Sequence, residues 1–190
     1  MKRSRICLLL LVLVCASCAT GPGGTHALPS HADAQRVDQK ARAALDRLYA
    51  SNPKARSLGA RAVGVLVFPD IIKGGIGIGG AWGDGALFLE GRPTTYFRSI
   101  SASYGLQLGI QKYGYAVFFV DEASVRALTA SQGWEIGSSP NVVVVDKGIA
   151  EAISTTTMEG GTYAIFFNQR GLMAGLSLEG TKITRLAPRR

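Results

Sequence analysis

Ala62 to Leu89 reads AVGVLVFPDIIKGGIGIGGAWGDGALFL. Runs of Val, Leu, Ile and Phe are cut at close intervals by Pro-Asp, Gly-Gly and Gly-Asp-Gly, a composition that builds short strands and turns and cannot build a helix. The same texture continues to the end of the chain and predicts strands near 62–68, 74–80, 85–90, 94–100, 102–110, 114–120, 142–146, 162–168, 171–178 and 181–186. One helix interrupts them at about 122–131, with Asp121 as its cap and Val125 and Leu128 facing inward. The expected class is α+β: a strand-dominated antiparallel sheet or small barrel with an N-terminal amphipathic helix.

Within the opening stretch, Gly75-x-Gly77-x-x-Gly80 has the spacing of a dinucleotide-binding turn. That chemistry needs a helix after the glycines, so that the pyrophosphate meets its N-terminus. Trp82 to Leu89 reads instead as more strand, which removes the nucleotide reading. Ser51-x-x-Lys54 matches a serine acyl-enzyme motif, but Asn52-Pro53 makes it a helix-start turn.

On the N-terminal side the period is helical. Val37, Ala41, Ala44, Leu45 and Leu48 recur on one face of a helix spanning about 31–50, while Arg36, Lys40 and Arg47 occupy another. Ser30-x-x-Asp33 has capping-box spacing. Asn52-Pro53 then stops this helix and starts a second over Lys54 to Arg61.

Earlier still, Lys2, Arg3 and Arg5 precede the apolar run Ile6 to Val14, followed by Cys15-Ala16-Ser17-Cys18. The run is too short to span a bilayer, which takes about 20 apolar residues. It reads as an export signal over 1–17, with Cys18 as the lipid-attachment residue, 18–30 as a lipidated flexible tether and 31–190 as the domain. Ala19 in place of Asp after that cysteine points to the outer membrane. The chain has three cysteines, all in this segment, so the exported domain contains no disulfide framework and no Cys-based metal site.

The 190 residues carry a formal charge of +8, and loss of the signal leaves +5. Arg36 to Lys73 alone contains eight cations, Arg36, Lys40, Arg42, Arg47, Lys54, Arg56, Arg61 and Lys73, against three acids. Beside an anionic bilayer each such cation contributes about 1 kcal/mol, so these eight are the candidate contacts to anionic phospholipid headgroups; a solvated helix face is the competing reading. His26 and His31 are the two histidines and sit in or at the end of the tether, where nothing orients a general base. The carboxylates are scattered through expected turns, and only their convergence in a cleft would support a hydrolase. The reading is non-catalytic, with no metal, cofactor or nucleic-acid partner. An envelope-protein partner docking on exposed aromatics such as Trp82 or Tyr104 is the alternative.

Val65-Leu66-Val67-Phe68-Pro69, Lys73-Gly74-Gly75, Ile76 to Gly80, Ser103 to Gln111 (SYGLQLGIQ) and Gly171 to Ile183 (GLMAGLSLEGTKI) together resemble a SYLF domain, in the order that family has them. The family includes bacterial lipoproteins, and eukaryotic proteins in which the domain binds phosphoinositides and, in a yeast branch, bundles actin. The resemblance implies lipid binding helped by an N-terminal amphipathic helix, which the Arg36, Lys40 and Arg47 face matches in kind. For an exported protein it implies a generic anionic headgroup rather than a phosphoinositide, and no encounter with actin.

Overall fold

A computed structural model describes residues 31–130, 134–136, 142–145, 161–171 and 180–186. The expected signal, Cys18, the tether and the Ser30 cap lie outside these residues, as does most of the strand expected at 171–178. α1 spans His31–Ser51, and its buried stripe is Ala41, Ala44 and Leu48. α2 spans Pro53–Arg61. Asn52 caps it, its Oδ1 accepting from the Lys54 and Ala55 amides at 3.0 Å each. Pro53 fills the first turn, where a missing N–H costs nothing.

The six strands expected between 62 and 120 are in fact two. β1 runs without a break over Gly64–Leu89 and β2 over Arg92–Phe119. They pair antiparallel from Gly64↔Phe119 to Leu89↔Arg92. The two-residue turn is Glu90-Gly91, with φ of +50° and +72°; both residues are left-handed, as a type I′ hairpin turn requires. Pro69-Asp70 and the glycine run, read as breaks, are irregularities inside one ladder. The register slips between Phe68 and Ile71, between Ile76 and Ile78, and between Leu87 and Phe88. A bulge is where a strand tolerates a proline, which has no N–H for the ladder.

Both later strands dock on the other edge of β2. β5 (Thr162–Gly171) pairs with its C-terminal half and β6 (Thr181–Arg185) with its N-terminal half. β3 (Trp134–Ile136), which the sequence reading missed, extends the sheet beyond β6. β4 (Val142–Val145) extends it beyond β5, as the one parallel pair among the described strands. The order is β3-β6-β2-β5-β4, with β1 on the opposite side of β2. The sheet is open rather than a closed barrel. α3 (Glu122–Ala130) follows β2, with Leu128 buried as expected.

The hairpin curls until the two ends of β1 meet. A Cβ on Gly83 would lie 2.3 Å from the Asp70 carbonyl oxygen, and one on Gly85 2.5 Å from that of Val67. Only glycine permits backbone to press this closely on backbone. Inside the curl pack Leu66, Phe68, Leu87, Phe97, Tyr115, Val117, Phe119, Leu128 and Ile183. The Tyr115 hydroxyl, fully buried, donates to Ser99 Oγ at 2.8 Å and so avoids an unpaired polar group. On the outer face, Ala41, Ala44 and Leu48 of α1 share one cluster with Val65, Val67, Ala86, Phe88, Ala116 and Phe118. α1 therefore covers the line where the two ends of β1 meet.

Candidate functional site

At about 100° per residue, Arg36, Lys40 and Arg47 fall on one stripe of α1, while Arg42 lies about 200° round from Lys40. The structure separates them accordingly. Lys40 Nζ donates to Asp70 Oδ2 at 3.0 Å, and Lys112 Nζ reaches Asp70 Oδ1 at the same distance. One carboxylate at the β1 bulge thus bridges a helix lysine and a lysine of β2. Beside the bridge lies a groove of about 260 Å³, lined by Gln39, Lys40, Ala43, Arg47, Pro69, Asp70 and Asn168.

The ladder adds a further cation. Lys112 stands opposite Arg170 of β5 on one side and opposite Ile72 of β1 on the other. Residues directly opposite share a sheet face, and like charges so placed are destabilising. A fold that keeps Lys112 beside Arg170 concentrates positive charge at a cost in stability. Ile72 is 40% exposed, and Ile110, paired with Gly74 on the same face, is 74% exposed. Large apolar side chains in water beside cations form a surface suited to a bilayer interface: charge for phosphates, hydrocarbon for the acyl boundary.

The remaining predicted cations are distributed elsewhere. Arg36, exposed, pairs with Asp33 one turn back. Arg42 donates to the Gly91 carbonyl at 3.2 Å and lies 5.4 Å from the Phe88 ring centroid, at the hairpin turn. Arg56 Nε donates to the Tyr49 carbonyl at 3.1 Å, tying α2 to α1. Lys54 and Arg61 sit at opposite ends of α2. Lys73 is paired with Gln111, and strand alternation puts it on the face opposite Ile72 and Lys112. Of the eight, the structure gathers Lys40 and Arg47 at the groove and supplies Lys112 and Arg170, which sequence reasoning missed. Lys112 did carry a signal: it is the one charged residue between Arg98 and Asp121, in a run otherwise apolar or neutral.

Partial burial works to raise the Asp70 pKa, but hydrogen bonds and charge from Lys112 and Lys40 outweigh it and hold the carboxyl below its usual value. The other carboxylates with defined partners have structural work. Asp84 takes a bidentate pair from Arg98 at 2.6 and 2.8 Å, Asp121 caps α3, and Glu122 pairs with Arg126 at 2.8 Å. Trp82, 54% exposed, stands opposite Ile100, 40% exposed. The side chain of Tyr104 lies outside the described ones. Among the described residues no helix is long and apolar enough to cross a membrane.

The family model of Ysc84, Las17-binding protein actin regulator, matches residues 100–187. That span takes in Lys112, Arg170 and strands β3 to β6, and leaves out α1. No curated protein matches the chain.

Proposed function

Residues 100–187 belong to the Ysc84/SYLF domain family, a lipid- and actin-binding family, and from that premise we propose that this protein binds anionic lipid surfaces without catalysis. The observation that carries the reading is the single outward face on which Lys40, Arg47, Lys112 and Arg170 adjoin exposed Ile72 and Ile110. Four cations near an anionic surface contribute about 1 kcal/mol each, fading over a Debye length of about 8 Å at physiological salt. We place the protein in the envelope as an exported lipoprotein, acylated at Cys18 and held at the outer membrane. Acylation would supply durable attachment, and the basic face would set how the domain lies on the bilayer.

The test is co-sedimentation of the full chain carrying Cys18→Ala, which cannot be acylated, with vesicles of phosphatidylcholine alone or mixed with phosphatidylglycerol. Binding is expected to the mixed vesicles, weakening with salt and falling with Arg47→Glu plus Arg170→Glu. Equal binding to both vesicle types, or no effect of the charge reversals, sinks the electrostatic mechanism.

The Trp82–Ile100 pair favours a second reading, a docking surface for an envelope protein. Crosslinking from position 82 in intact cells would give a recurrent protein adduct on that reading and lipid adducts alone on the first.

A further inference from the structure

The Lys40–Asp70–Lys112 bridge is more than a surface ion pair. Asp70 spends both carboxylate oxygens on cations from two different elements, each at 3.0 Å. Two lysines therefore share one carboxylate, Arg47 lines the groove beside it and Arg170 neighbours Lys112 in the ladder, so that among these residues the cations outnumber the acid. The groove is about 260 Å³, room for a small oxyanion and its first carbon atoms.

Asp70 occupies the position that an oxyanion from outside would take between the two lysines. A phosphodiester presents one negative charge on two free oxygens, which is what Asp70 already provides, and Asp70 is tethered in place. Exchanging one for the other gains nothing at Lys40 and Lys112. A phosphomonoester carries about −1.5 to −2 charges at pH 7 and three terminal oxygens. It can engage both lysines and one arginine at once, through the strong charge-assisted class of hydrogen bond. Asp70 thereby sets a threshold of charge.

We infer that the groove between α1 and the β1 bulge is a phosphomonoester site in which Asp70 is an internal competing anion, admitting a phosphoryl dianion and discounting a singly charged phosphodiester. The inference rests on the proposed contact of this face with lipid only for the source of the ligand. The phosphoryl group belongs either to a membrane headgroup such as phosphatidate or to a soluble compound such as glycerol 3-phosphate.

The experiment uses the full chain carrying Cys18→Ala. One arm measures partition onto phosphatidylcholine vesicles containing phosphatidate or phosphatidylglycerol, matched in zeta potential. The other titrates glycerol 3-phosphate calorimetrically, with glycerophosphoglycerol, a soluble phosphodiester, as control. At least one arm is expected to favour the monoester by about tenfold, a difference of roughly 1.4 kcal/mol. Asp70→Asn should strengthen diester binding and shrink that ratio, and Lys112→Gln should weaken the monoester with Asp70 still in place. Circular dichroism checks that both variants fold. Monoester preference in the soluble arm alone upholds the site and removes the lipid reading. Binding to both vesicle types without discrimination, and none in the soluble arm, upholds the lipid reading and overturns the site. A monoester preference that Asp70→Asn leaves unchanged overturns the role given to Asp70.

Discussion

The Tyr96 hydroxyl donates to Asp38 Oδ2 at 2.8 Å, joining β2 to α1 across 58 positions of sequence. The other oxygen, Asp38 Oδ1, is buried without a hydrogen-bond partner, so Tyr96 is the contact that makes this carboxylate tolerable under the helix. Tyr96→Phe should cost about 1.5–3 kcal/mol, the range for a hydrogen bond to a charged group, read as a lower urea midpoint at unchanged slope. Burial first, then the hydrogen bond and charge of Asp38, push the Tyr96 pKa up to about 12. Burial does the same for Tyr113. A phenol whose folded pKa is raised contributes stability that is complete below pH ~10, its unfolded value. That stability is lost as pH rises toward 12. The melting temperature should therefore fall on the alkaline side, and less steeply in Tyr96→Phe.

Gly85 is held by space rather than by dihedral angle. An added methyl would meet the Val67 carbonyl oxygen at 2.5 Å and the Phe68 ring at 2.6 Å, and the backbone oxygen cannot rotate away as a side chain could. Gly85→Ala should destabilise the protein by about 1–3 kcal/mol, the usual cost of overpacking, because it pushes apart the two ends of β1 that α1 covers. Gly91, with φ of +72° and nothing within 4 Å of its Cβ position, fails for the opposite reason: it needs the left-handed conformation but has room. Gly91→Asn should leave the melting temperature nearly unchanged, since asparagine suits that turn position. Equal losses in the two variants would refute the close-approach account of Gly85.

Asp121 does more than start α3. It accepts from the Ser124 amide at 2.7 Å, from Ser124 Oγ at 2.8 Å and from the Gly161 amide at 3.2 Å, so one carboxylate fastens both the helix and the approach to β5. Asp121→Ala should cost about 1–2 kcal/mol, at the upper end for a cap. The backbone hydrogen bond from Ser124 is the largest influence on its pKa, which is lowered. A carboxylate so depressed contributes stability that is complete above about pH 4 and is lost as pH falls through the folded value. Asp70 acts in the same direction. The loss of stability between neutral and acid pH, followed by tryptophan fluorescence in urea, should be smaller for Asp121→Asn than for the wild type, because the variant keeps an acceptor that does not titrate.

The two helices, their Asn52 cap and the strand-rich remainder were legible because each rests on local chemistry within a few residues. The length of the hairpin was not. Pro69, Asp70 and the glycines of 74–85 are turn formers by composition, and only the ladder reveals that β1 absorbs them as bulges and close approaches. β3 is three residues long and defined by its pairing with β6. The basic site was half legible for the same reason. Lys40 and Arg47 announce themselves by helical spacing, but Arg42 and Arg56, equally basic, are taken up by backbone carbonyls. Lys112 and Arg170 come from strands distant in sequence, and their neighbourhood exists only once β2 lies between β1 and β5.

Ile110 separates lipid contact from fold stability. It is 74% exposed, so removing its hydrocarbon takes little from the core, and Ile110→Ser should shift stability by less than about 0.5 kcal/mol. At a bilayer interface the same side chain would be buried in part. Full burial of an isoleucine is worth about 1.5–3 kcal/mol, so partial insertion of about 1 kcal/mol predicts a loss of roughly fivefold in vesicle partition. Raising salt should weaken wild type and Ile110→Ser by the same factor, because the variant keeps all four cations. Lys112→Ala should show the converse pattern, a flatter salt dependence. If Ile110→Ser partitions as well as the wild type, the isoleucines do not enter the interface and the contact is electrostatic alone.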